Sequence, residues 1–211
     1  MLSVGLMLIS CGEKTNNQNN KALKEEIANR EIKKVSDAEI IAAAYYYGNL
    51  IADTSQYLYF NSLQKQLQEN GIQVALKFYN IKGNPVTDSL LSEFDATIRR
   101  VSNKPRNTEN SPNELEALLL DSYLYNLEND LPLDENIQEV DQNYLLYTKP
   151  IVINDQLCLQ CHGVVGEDII TEDYNHIKSL YPNDEAIGYK MDDFRGVWSI
   201  KLSKKELIKA L

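Results

Sequence analysis

The heptapeptide LCLQCHG, Leu157–Gly163, carries the most specific chemical signal of this chain. It holds two of the three cysteines and one of the two histidines among 211 residues. A Cys-x-x-Cys-His pattern is compatible with three kinds of site, namely a zinc site, a dithiol redox site and a covalently attached haem c. Residues outside the heptapeptide must discriminate between these three.

The zinc and dithiol interpretations each lack a second element. A structural zinc is usually held by four ligands from two separated pairs, whereas this chain has one cysteine pair, with His162 directly beside Cys161. His176 is the other histidine. A dithiol of Cys158 and Cys161 would normally lie at a strand-to-helix junction of a βαβ unit, and the sequence shows no such unit. Both interpretations stay open as alternatives.

Covalent haem c fits both the spacing and the order of the residues. Two thiols separated by two residues can add to the two vinyl groups on one edge of a porphyrin, and the next residue then lies under the iron. The pattern therefore predicts one covalent haem c, with Cys158 and Cys161 as anchors and His162 as an axial ligand of the iron.

The beginning of the chain indicates export. MLSVGLMLISC is an apolar run that closes on LISC and resembles the lipobox of bacterial lipoproteins; it is too short to span a bilayer, and the usual basic n-region is missing. We expect residues 1–11 to be a signal peptide ending at a lipidated Cys11, residues 12–35 a polar tether, and residues 36–211 the folded domain. The expected location is the bacterial cell envelope, on the periplasmic or extracellular face, where haem c attachment also takes place.

Charge narrows the range of partners. The net charge is -10 and the sequence pI is about 4.7. An acidic surface repels phosphate backbones, so we expect no nucleic-acid partner. It favours a basic docking protein instead.

The pattern of apolar residues predicts the fold class. Apolar residues at helical spacing predict one long helix over residues 36–70, and SPNE, with Ser111 as N-cap, Pro112 first and Glu114 third, predicts the start of another. Strand formers follow over residues 143–153, and two strands are predicted around the Asp-Asp turn within residues 186–203. Helices that precede a small antiparallel sheet predict the α+β class.

Three stretches resemble the Tll-type family of single-haem c domains: YTKPIVINDQLCLQCHG, YPNDEAIGYKMDDFRGVWSIKL and RRVSNKPRNTENSPNELE. The resemblance covers roughly Asp37–Leu202. It implies a PAS-like sensor fold, in which an antiparallel sheet and long N-terminal helices hold haem c between them. It also implies redox or diatomic-gas sensing, or single-electron transfer. Since no signalling module is expected after Leu211, the signal or electron would pass to an unknown partner protein.

The resemblance raises the question of the second axial ligand. Family members carry a cysteine in a Phe-Cys-Asn pattern that is implied to ligate the iron opposite the histidine, whereas this chain reads KFYN, with Tyr79 at that place. Tyr79 could bind as a phenolate, which favours ferric iron, or hydrogen-bond a bound water. Alternatively, the position is open to a ligand such as NO or CO. Met191 and His176 are outside candidates.

Other residues gain roles from the same comparison. Arg99, Arg100 and Arg106 are candidates to pair with the haem propionates, because a guanidinium fork matches a carboxylate. Tyr189 belongs to the Tyr-Pro…Gly-Tyr stretch expected to form the proximal wall of the haem site. Arg195 and Gly196 match an Arg-Gly hairpin of that family, and the alternative interpretation of Arg195 is a buried arginine paired with Asp184 or Asp192.

Two further classes of function are weighed against a sensor or carrier. An open ferric site could act on peroxide, but peroxidase chemistry needs a distal acid/base, and His176 is the one histidine left for that role. We therefore expect a protein that is not an enzyme. The second class is a binding module that has lost its haem, which haem content would reveal.

Overall fold

The computed structural model describes residues 35–78 and 85–211. The predicted signal peptide with Cys11, the tether up to residue 34, and Tyr79 lie outside the described residues. Within the described part, Asp37–Leu211 is one compact unit, and none of its helices combines the length and apolar character needed to cross a membrane.

The described residues form helices at both ends of the domain and a sheet assembled from its middle and end. The helices are α1 (Asp37–Asn70), α2 (Ile72–Phe78), α3 (Pro85–Glu93), α4 (Glu114–Glu128), α5 (Gln156–His162), α6 (Thr171–Leu180) and α7 (Lys204–Ala210). The strands are β1 (Thr97–Val101), β2 (Asn136–Glu139), β3 (Tyr144–Val152) and β4 (Phe194–Ser203).

The four strands form one antiparallel sheet in the order β1-β4-β3-β2. The two central strands, β3 and β4, pair from Tyr144 with Ser203 to Val152 with Phe194, with one irregularity near Ile151. The long helix followed by an antiparallel sheet confirms the predicted α+β class. The predicted long helix over residues 36–70 is also confirmed, because α1 begins at Asp37 and ends at Asn70.

Helix α1 packs on one face of the sheet through a close approach at Gly48. A Cβ atom built on Gly48 would lie 2.4 Å from Cγ of Tyr147, a residue of β3 that is fully buried. The Tyr147 hydroxyl donates a hydrogen bond to Oδ1 of Asn49 at 2.9 Å. Glycine at this position therefore lets the helix backbone rest on the tyrosine ring.

Helix α4 covers the other face of the sheet. Its Tyr123 and Leu120 pack with Phe194 and Val197 of β4. Glu116 is buried, and its Oε1 accepts a hydrogen bond from the Ser199 hydroxyl at 2.7 Å. The sheet is thus the middle layer between two helical layers, with apolar side chains on both faces.

Helix α4 starts later than the sequence pattern predicts. Asn113, not Ser111, is the N-cap, and its side chain accepts from the backbone N–H of Glu116 at 2.9 Å. The Glu116 carboxylate in turn accepts from the backbone N–H of Asn113 at 2.9 Å, which completes a capping box. This reciprocal pair satisfies two backbone donors, whereas the carbonyl of Ser111 is bonded to Arg99.

The first strand predicted within residues 186–203 is absent from the described structure. Residues 186–193 form no strand. The backbone N–H groups of Gly188 and Tyr189 bond to the carbonyls at the end of α5, and the backbone of Asp192 and Asp193 bonds to Ile153 just after β3. We call residues 184–189 the strap. Strand β2 is the opposite case, since its polar sequence NIQE gave no strand signal.

Candidate cofactor site

The cysteines and His162 occupy one face of the short helix α5, directly after β3. Asp155 is the N-cap, and its side chain accepts from the backbone N–H of Leu157 at 2.7 Å. Side chains three and four residues apart share a helix face, so Cys158 lies on the same side as both Cys161 and His162. The local sequence thus presents two thiols and an imidazole in one direction.

All three side chains line a cavity of about 650 Å³. This volume is within the usual range for small-molecule and cofactor sites. The opposite walls come from the second half of α1, from β1 and from the segment after it, and include Tyr59, Phe60, Leu63, Ile98 and Val101. The cavity therefore lies between the long helix, the sheet and the Cys-x-x-Cys-His helix.

His162 is held in one orientation by the strap. Its Nδ1 lies 2.7 Å from the carbonyl oxygen of Ala186, so Nδ1 carries the proton and donates it. Burial, followed by the charges of Arg195 and Arg106, holds the pKa of His162 well below its ordinary value. The imidazole is therefore neutral near pH 7, and Nε2 keeps a lone pair available for a metal.

The strap also fixes the backbone beneath His162. The backbone N–H of Tyr189 donates to the carbonyl of His162 at 2.9 Å, and that of Gly188 donates to the carbonyl of Gly163 at 2.8 Å. The Tyr189 ring meets the His162 ring edge-on, with centroids 6.2 Å apart. Tyr189 therefore supports His162 from behind and is not among the residues that line the cavity.

Arg106 joins α5 to the strap. Its Nη2 donates to the carbonyls of Cys161 at 2.5 Å and Ala186 at 3.2 Å. Its guanidinium also pairs with the carboxylate of Asp184, whose side chain is fully buried. Arg106 lines the cavity, and these contacts make it a positioning residue for His162, while its role as a propionate partner stays a prediction.

The other predicted arginines differ in their contacts. Arg99 donates to the carbonyls of Ser111 at 2.7 Å and Glu109 at 3.1 Å, and it lies 3.6 Å from the Glu116 carboxylate. The guanidinium of Arg100 stacks over the Tyr59 ring, 4.6 Å from its centroid. The structure thus ties Arg99 to the start of α4.

Among the described residues Arg195 forms no ion pair with Asp184 or Asp192, and Asp184 pairs with Arg106 instead. Arg195 lines the cavity and donates from Nη1 to the carbonyl of Lys104 at 3.2 Å. Its Nε is buried and has no hydrogen-bond partner among the described residues.

Neither cysteine has the properties of a reactive dithiol. Both thiols are free, and burial raises the pKa of each, although Arg106 partly offsets this effect at Cys161. Reactive cysteines have lowered pKa values.

Among the described residues, no three His, Cys, Asp or Glu side chains are grouped to hold a metal ion, so the geometry gives no support to a zinc site.

The two outside candidates for the sixth ligand lie away from the cavity. Met191 packs against Ile153, Leu159 and Tyr189, and the Nε2 of His176 is buried without a partner among the described residues. Neither residue lines the cavity.

The sequence did not indicate the roles of Ala186, which acts through its carbonyl, or of Tyr59, one of 13 tyrosines.

Comparison with known proteins agrees with the resemblance seen in the sequence. A family model described as Tll0287-like matches residues 18–203. The solved structure of the cyanobacterial haem protein Tll0287 matches with 24% sequence identity and a TM-score of 0.44, over 55% of this chain and 66% of that protein. Comparison with curated proteins gives no match.

Proposed function

This chain belongs to the Tll0287-like family, and from that premise we propose that it binds one haem c covalently. Cys158 and Cys161 would form the thioether bonds, and Nε2 of His162 would ligate the iron. The observation that carries the proposal is the 2.7 Å hydrogen bond from Nδ1 of His162 to the Ala186 carbonyl. Histidines that bind metals usually donate their other ring nitrogen in this way, which fixes the tautomer and the ring orientation.

The surroundings of the motif fit such a group. The cavity of about 650 Å³ is walled by both aromatic and aliphatic side chains, and two free thiols and a neutral imidazole meet at one side of it. The raised pKa values of both thiols favour this interpretation over a dithiol enzyme. A peroxidase is disfavoured as well, because of the two histidines only His162 lines the cavity.

The proposed physiological role is that of a redox or diatomic-gas sensor, or of a single-electron carrier. When bound, haem iron would supply one-electron chemistry and a sixth position for a small ligand. The support for export is the LISC lipobox, with Cys11 as the proposed lipid anchor to the cell envelope. A protein of this kind would act on a further redox or signalling protein, and the net charge of -10 favours a basic partner.

The test is a pyridine haemochrome spectrum of the full chain, produced in a bacterial host that has the haem c maturation system. We expect a c-type spectrum, with haem retained through acid-acetone extraction. A Cys158→Ser/Cys161→Ser double variant should lose covalent haem, whereas Cys11→Ser should retain it and lose lipidation. A wild-type protein that folds without covalent haem would refute the proposal and leave the dithiol and zinc interpretations.

A further inference from the structure

The four described arginines that line the cavity are not equivalent. Arg106 is committed to the buried carboxylate of Asp184, and Arg99 lies beside Glu116. Arg100 stacks on Tyr59. Arg195 is distinguished by a buried Nε that finds no partner in the described part of the chain.

Arg195 lies in the wall of the candidate haem cavity. The residue lies near the start of β4 and lines the same cavity as His162. Its Nη1 is bonded to the carbonyl of Lys104, and the guanidinium lies over the Tyr189 ring, 5.3 Å from the centroid. Protein groups thereby hold Nη1 and one face of the guanidinium, while Nε has no partner among the described residues.

Arg195 as a whole is partly exposed, but its Nε atom is buried, and a buried donor normally has a hydrogen-bond partner. No Asp or Glu among residues 35–78 and 85–211 forms an ion pair with Arg195. Burial lowers the pKa of Arg195, and the positive charges of Arg106 and Arg100 lower it further. A buried donor of a charged group that lacks a partner is costly, so the cavity calls for an acceptor at this point, and a negative one would suit the guanidinium best.

We infer that Arg195 binds a propionate carboxylate of the haem, with Nε as one of the donors. The inference rests on the proposed function, since the haem supplies the carboxylate. A planar guanidinium matches a carboxylate with two parallel donors, which a lysine cannot do. Arg195 would thereby orient the macrocycle relative to His162, while Arg106 orients the imidazole of His162 through the strap.

The test compares the holoproteins Arg195→Gln and Lys201→Gln with wild type. Lys201 is a matched control, because it also lies on β4 but is not among the residues that line the cavity. Removal of a positive charge near the iron stabilises the ferric state. We therefore expect Arg195→Gln to lower the reduction potential by an amount equivalent to about tenfold in the redox equilibrium, or ~59 mV, and Lys201→Gln to leave it unchanged.

The pH dependence of the potential separates propionate binding from a merely structural role. With Arg195 present, the propionate stays ionised and the potential is flat around neutral pH. Without it, the propionate takes up a proton within the measured range, so the potential of Arg195→Gln should fall as the pH rises. Arg195→Lys keeps the charge without the planar fork and should show an intermediate slope, and it serves as the test if Arg195→Gln yields no holoprotein.

Three results would overturn the inference, and they differ from one another. A wild-type chain without covalent haem removes the proposed function and this inference together. A normal haem content in every variant, with unchanged potential and a flat profile in Arg195→Gln, removes the inference alone. A shift that appears in Arg99→Gln instead would place the propionate at β1.

Discussion

Arg106 and Asp184 form a buried ion pair in which the arginine Nε lies 3.2 Å from Oδ1 of the carboxylate. The same Oδ1 accepts from the backbone N–H of Ala186 at 2.9 Å, and the Ala186 carbonyl accepts from Nδ1 of His162. The pair therefore fixes the one group that sets the tautomer of His162. Stability of the strap and orientation of the proposed iron ligand depend on the same contact.

Replacement of Arg106 should destabilise the fold, because it leaves the buried carboxylate of Asp184 without its cation. We expect Arg106→Met to lower the free energy of unfolding by about 3–5 kcal/mol, measured by urea denaturation. Lys209→Met is the control, since it breaks an exposed pair with Glu206 and should cost at most about 1 kcal/mol. An Arg106→Met/Asp184→Leu double variant should recover part of the loss, and equal losses in Arg106→Met and Lys209→Met would contradict the interpretation.

The sequence predicted well wherever one local pattern determines the outcome. Apolar spacing over residues 36–70 was enough for α1, because a helix of 34 residues must bury a recurring face. The Cys-x-x-Cys-His spacing was likewise enough to place three functional groups together. In both cases the information lies within a few turns of helix.

The roles that depend on tertiary contacts could not be predicted in this way. The strap was predicted to begin a strand, but the amides of Gly188 and Tyr189 bond to the carbonyls at the end of α5, and the local sequence pattern does not reveal that partner. The choice between arginines has the same origin, since Asp184 accepts Arg106 rather than Arg195. Which cation is left without a carboxylate depends on the whole packing and not on any motif.

The close approach of α1 to the sheet predicts a sharp steric effect at Gly48. Gly48→Ala would place a methyl group 2.4 Å from a ring carbon of the fully buried Tyr147, so helix or ring must move. We expect a loss of about 1–3 kcal/mol in unfolding free energy, despite the higher helix propensity of alanine. Ser62→Ala on the exposed side of the same helix should be neutral or slightly stabilising, and a stabilised Gly48→Ala protein would show that the contact is not tight.

The sixth position of the iron is tested by Tyr79→Phe. If the Tyr79 phenolate ligates ferric iron, its loss should change the ferric spectrum and raise the reduction potential, because a phenolate favours the ferric state. Tyr59→Phe is the matched control, since Tyr59 lines the cavity and contacts Arg100 but is not proposed as a ligand. An unchanged ferric spectrum in Tyr79→Phe would exclude ligation and leave a bound water or an open position.

The buried hydroxyl of Tyr123 should make the folded protein measurably less stable at alkaline pH. Its hydroxyl lies 3.0 Å from Oγ1 of Thr148 in the core, and burial raises its pKa from 10.0 to about 12. Between these two pH values the unfolded chain loses this proton and the folded chain keeps it. Stability must therefore fall with rising pH, by about 1.4 kcal/mol per pH unit from this residue.

Tyr123→Phe removes that dependence and should reverse the order of stability. Near neutral pH the variant should be less stable than wild type by about 1 kcal/mol, because the hydrogen bond to Thr148 is lost. Above pH 10.0 the gap should close, and near pH 12 the variant should be the more stable protein by roughly 1–2 kcal/mol. Urea unfolding from pH 8 to 12 measures the difference in unfolding free energy between wild type and Tyr123→Phe. The other buried tyrosines are present in both proteins, so their contributions cancel. Tyr125→Phe, at an exposed position of the same helix, should show a constant difference, and a constant difference in Tyr123→Phe would mean that the hydroxyl ionises as easily in the folded chain as in water.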